Sequence, residues 1–81
     1  MNNLQIFKNK EFGEVRTITI GGEPWFVASD ICKALELSNA TVSMQRLEDD
    51  EKSKFNLGLS GGDTNCVNEY GLYSLVLASR K

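Results

Sequence analysis

With 81 residues, one proline and 41% apolar residues, the chain is long enough for one small core and too apolar for a disordered tail. Its formal charge of −2 argues against a protein that coats nucleic acid through a strongly basic stripe, because its nine cations are scattered along the chain. No stretch approaches the ~20 apolar residues of a membrane helix, and the amino terminus lacks a basic-then-apolar leader pattern, so a cytoplasmic protein is expected.

Residues 3–9 (NLQIFKN) read as a short strand with Leu4 and Ile6 on one side and Gln5 and Phe7 on the other. The β-branched run 14–20 (EVRTITI) is a second strand. Gly21-Gly22 supplies the positive φ of a hairpin turn, and Pro24 opens a third strand over 24–28, where at least one of Trp25 and Phe26 enters the core.

The pattern changes at Ala28. Ser29 and Asp30 suit an N-cap and a first turn, and Ile31, Ala34 and Leu35 recur at helical spacing. Ser38 and Asn39 make a turn and a fresh cap for a second helix from about Ala40 to Leu47. Its apolar stripe is Ala40, Ser43, Met44 and Leu47, which turns Thr41, Val42 and Gln45 outward. The pair resembles a helix-turn-helix, but in another phase, and with Glu36 where a turn glycine is expected. Any side chain strains a positive-φ turn.

Residues 48–52 (EDDEK) read as a charged, solvated turn. A fourth strand is expected over 54–59, with Phe55, Leu57 and Leu59 alternating, then a glycine turn and a partner strand, 64–68. Asn68 caps a last helix, with Glu69 in its first turn. That helix is apolar around more than half its circumference. It needs either a deep slot or a partner, and Leu72, Tyr73, Val76 and Leu77 are the candidate contacts of a homodimer. The whole describes an α+β domain: a small antiparallel sheet of hairpins packed with about three helices.

The candidate DNA contacts are Lys33, Ser38, Asn39, Thr41, Gln45 and Arg46. Thr41 and Gln45 lie a turn apart and can reach phosphates or base edges, and glutamine suits the N6/N7 edge of adenine. Ser38 and Asn39 expose donors where a helix begins, although their capping role alone accounts for them. Lys33 and Arg46 add charge. Clustering of these residues with Arg16 or Lys54 would favour DNA; cover by acidic residues 48–51 would favour a protein partner. The chain has no histidine, no phosphate-cradling glycine loop and no nucleophile–base pair, so neither an enzyme nor a metal or cofactor site is expected. Cys32 and Cys66 lack metal-ligand spacing and suit small buried residues, with a disulfide left open.

Four spaced segments carry a family resemblance: GEPWFV (Gly22 to Val27), ALELSN (Ala34 to Asn39), the acidic turn Glu48 to Lys52, and GLYSL (Gly71 to Leu75). Together they resemble the BRO amino-terminal (Bro-N) domain of prophage antirepressors and baculovirus BRO proteins. The resemblance implies a bacteriophage regulator of transcription working in a bacterial host, with double-stranded DNA as partner. It also implies an amino-terminal fragment of a longer protein, consistent with the end at LASRK, which lacks a helix stop signal. The rival expectation is a module that binds a repressor protein, its acidic run masking a basic surface, without touching DNA.

Overall fold

A computed structural model describes residues 4–9, 13–37, 40–56 and 62–79. Five strands form one antiparallel sheet: β1 (Leu4–Asn9), β2 (Gly13–Ile20), β3 (Glu23–Val27), β4 (Lys52–Phe55) and β5 (Thr64–Val67). Three helices accompany it: α1 (Ala28–Ala34), α2 (Ala40–Gln45) and α3 (Glu69–Ser79). The sheet order β1-β2-β3-β5-β4 joins a meander to a hairpin. The join is the antiparallel pairing Phe26↔Val67 and Val27↔Cys66, which the strand patterns alone do not reveal.

The β2–β3 turn is the expected two-residue one. Gly21 and Gly22 both sit at positive φ (59° and 80°), the geometry that matches the twist of the flanking strands. Strand β4 begins two residues earlier than the spacing suggests and ends at Phe55; Leu57 and Leu59 lie outside the described residues.

Paired residues share a face and successive residues alternate. Val15, Phe26, Val67 and Lys52 therefore point one way, and Ile18, Trp25, Val27, Cys66 and Phe55 the other. The first face carries the helices: Val15 and Val67 pack with Ala28, Ile31, Leu47 and Leu75, and Phe26, Leu35, Met44 and Leu72 close in around them. On the second face Ile18, Val27 and Cys66 are fully buried, while Trp25 and Phe55 meet edge-on across β5, with ring centroids 5.1 Å apart. Both cysteines are buried free thiols, and burial pushes the Cys66 thiol up to about 11.

Helix α1 starts one residue before the expected cap. Val27 stands at its N-cap with no side-chain bond, and Ser29 is an exposed first-turn residue. The cap is dispensable because Asp30 anchors that turn to β2: its carboxylate accepts from Arg16 Nε (2.8 Å), Nη2 (2.9 Å) and the Arg16 backbone N–H (2.9 Å). Burial by itself raises the Asp30 pKa, yet these bonds and the charges of Arg16 and Lys33 outweigh it and hold the carboxyl below its ordinary value.

The end of α1 corrects the expectation for Glu36. It adopts φ 56°, the left-handed turn a glycine would take. Leu37 N–H donates to the Cys32 carbonyl (2.9 Å) and Glu36 N–H to that of Lys33 (3.1 Å), which closes a Schellman cap. Leu37 packs against the core and holds the strained residue in place.

The acidic stretch is also more than a solvated loop. Residues Asp49–Glu51 form a 3₁₀ turn in which Glu51 Oε1 accepts from Glu48 N–H (2.8 Å) and Oε2 from the Ser74 hydroxyl (3.3 Å). Asn68 ties this turn to α3. Its Oδ1 accepts from Gly71 N–H (3.0 Å), as an N-cap does, and its Nδ2 donates to the Asp50 carbonyl (2.8 Å).

The last helix divides its apolar residues. Gly71 and Leu75 are buried, and Leu72 and Val76 are half-buried. Tyr70, Tyr73 and Leu77 stand 71%, 60% and 70% exposed on the outside. Leu72 packs against the core, whereas Tyr73 and Leu77 remain accessible.

Candidate nucleic-acid interface

Helix α2 has the expected phase. Leu47, just beyond its end, is buried; Ser43 and Met44 are half-buried; Thr41, Val42 and Gln45 are exposed. The helix stops at Gln45, and Arg46 and Leu47 close it with tighter bonds to the Ser43 and Met44 carbonyls (3.3 and 3.2 Å). Lys52 Nζ donates to the Met44 carbonyl (3.1 Å), a favourable place for a cation because helix carbonyls end there.

Helix α2 packs on α1 and α3, this bond links its end to β4, and a cleft of about 940 Å³ opens between α2 and the β4–β5 hairpin. Ser29, Cys32, Thr41, Met44 and Gln45 line it from the helices. Lys52, Ser53, Lys54, Asp63, Thr64 and Asn65 line it from the hairpin side, and Arg16 and Ala28 complete it. Three cations and one carboxylate thus share the lining. Their availability differs: Arg16 is engaged by Asp30 and Lys52 by α2, while Lys54 is exposed.

Of the six residues proposed from the sequence, Thr41 and Gln45 reach this cleft. Lys33 and Arg46 are exposed and do not line it. Lys33 stands one turn beyond Ser29 at the flank of α1, and Arg46 falls past the end of α2. Ser38 and Asn39 lie outside the described residues. Thr41 and Gln45 share the cleft with Arg16 and Lys54, and none of residues 48–51 contributes to the lining. Asn65 and Lys52 were not singled out. Their place depends on which strands pair and in what register, and a four-residue strand carries no periodic signal for either.

The fold is a small α+β domain whose cleft gathers amide, hydroxyl and ammonium groups from two short helices and an edge hairpin. Residues 14–81 match the model of the BRO family, N-terminal domain, and the chain belongs to that family, whose amino-terminal domain is found in phage antirepressor-like proteins. Strand β1 precedes the matched residues. No curated protein and no solved structure matches the chain. Among the described residues, no helix is long and apolar enough to cross a membrane.

Proposed function

We propose that this chain is the DNA-contacting amino-terminal domain of a phage antirepressor, serves transcription regulation in a bacterial cytoplasm, and has no catalytic role. The observation that carries the reading is the convergence of Thr41 and Gln45 on α2 with Lys54 on β4 at one cleft. An exposed ammonium seats a phosphate, and short polar side chains beside it meet sugar or base edges. The modest charge makes binding by one copy weak, and two copies on a symmetric site restore affinity. Duplex binding followed by fluorescence anisotropy across a salt series tests this. Log K should fall linearly with log salt, and Lys54→Ala should reduce that slope by about one while leaving the melting temperature unchanged.

A second reading has its own support. Glu48, Asp49 and Asp50 are exposed together, an acidic patch that a basic repressor surface would match. Absence of duplex binding at low salt, with capture of a cognate repressor that Asp49→Asn/Asp50→Asn abolishes, would transfer the function to that surface.

A further inference from the structure

Strands β4 and β5 form the edge ribbon of the sheet, and in their register Lys54 stands directly opposite Asn65. The pair lies on the helix-bearing face, two residues beyond Lys52↔Val67. At that inner step Lys52 reaches the carbonyl of Met44, the residue before Gln45. Three exposed side chains from three elements therefore converge: Gln45 from α2, Lys54 from β4 and Asn65 from β5 all line the one cleft.

Strand propensity does not account for Asn65, because asparagine is depleted in strands. Packing does not account for it either, since it is exposed. Among the described residues, neither the Asn65 nor the Gln45 carboxamide has a hydrogen-bond partner. Each offers an acceptor and a donor side by side. In the major groove adenine presents the complementary pair, an N7 acceptor beside an N6 donor, and a groove about 12 Å wide admits a helix or a two-stranded ribbon.

We propose that Gln45 and Asn65 form a two-amide reader of adenine in the major groove, with Lys54 between them seating the adjoining phosphate. The proposal rests on the duplex-binding reading above and adds its base preference. The helix supplies one amide and the ribbon the other, and the Lys52–Met44 bond links the two elements.

Three duplexes of equal length test it by anisotropy at low salt: one of alternating A·T, the same with 7-deazaadenine, which lacks N7, and one of G·C. The A·T duplex should bind at least ~10-fold more tightly than either, within the roughly 5- to 150-fold worth of a bidentate contact. Gln45→Ala and Asn65→Ala should each shrink the A·T advantage over 7-deazaadenine, and Lys54→Ala should weaken all three alike. Equal affinity for the A·T and 7-deazaadenine duplexes overturns the proposal and leaves duplex binding standing. A full A·T advantage in both amide variants overturns the residue assignment. Failure to bind any duplex removes the underlying reading, and this one with it.

Discussion

Two asparagines three residues apart, Asn65 on β5 and Asn68 at the start of α3, show the molecule using one side chain in opposite ways. Asn68 is 5% exposed, and its amide caps α3 and holds the 3₁₀ turn. Its backbone joins in, donating to the Glu51 carbonyl (3.1 Å) and accepting from Leu72 N–H (2.9 Å). Asn65 is exposed and lines the cleft. Buried polar groups must find partners inside the protein, so the junction around Asn68 is rigid and structural. Polar groups left open at a cleft are available to something else. The junction therefore serves stability, and the cleft is the proposed binding surface.

Five changes would break or sharpen this contrast. Asn68→Ala removes the cap and strands the Asp50 carbonyl, so it should cost about 2–3 kcal/mol in urea unfolding. Asn65→Ala, an exposed substitution, should stay within about 0.5 kcal/mol; equal costs at the two sites would erase the distinction. Gly71→Ala comes next. Its Cβ would lie 2.6 Å from the Glu51 carbonyl oxygen and 2.9 Å from Val67 Cβ. The α3 backbone must withdraw from the turn, and the expected loss is about 2 kcal/mol even after alanine's helix preference is credited.

The fourth change, at the end of α1, works in the other direction. Glu36→Gly relieves a left-handed residue and should stabilise the fold by about 0.5–1 kcal/mol, raising the melting temperature by about 4 °C. A lower melting temperature would show that the Glu36 side chain is needed there. The smallest effect belongs to Asp30. Its folded-state pKa lies below the unfolded value of about 3.9, so the Arg16 pair contributes stability above that pH and loses it as pH falls through the lowered value. The Arg16 side chain is 38% exposed, and solvent screening keeps the gain small. Urea midpoints compared at neutral and acid pH should fall less steeply in Asp30→Asn than in the parent chain.

Much of the fold was legible locally because local rules suffice for it. The β-branched run 14–20, the Gly21-Gly22 turn and the Asn68 cap each act within a few residues, and each appears where its chemistry placed it. The outward phase of Thr41 and Gln45 was legible for the same reason: helical spacing alone fixes it once Leu47 is inside. Glu36 was misread because local propensity opposes a left-handed glutamate, and only the packing of Leu37 on the core makes the Schellman cap worth its strain. The apolar surface of α3 left open which side meets the sheet, because composition does not say so. Leu72 and Leu75 turned inward, and Tyr73 and Leu77 did not.

The sequence by itself determined the class of fold, the family and the exposed side of α2, since each follows from side-chain periodicity or from spaced motifs. Only the tertiary structure decided that α2 meets the β4–β5 hairpin. That contact depends on long-range strand register and on one lysine reaching one carbonyl, and together they bring Gln45, Lys54 and Asn65 to a single cleft.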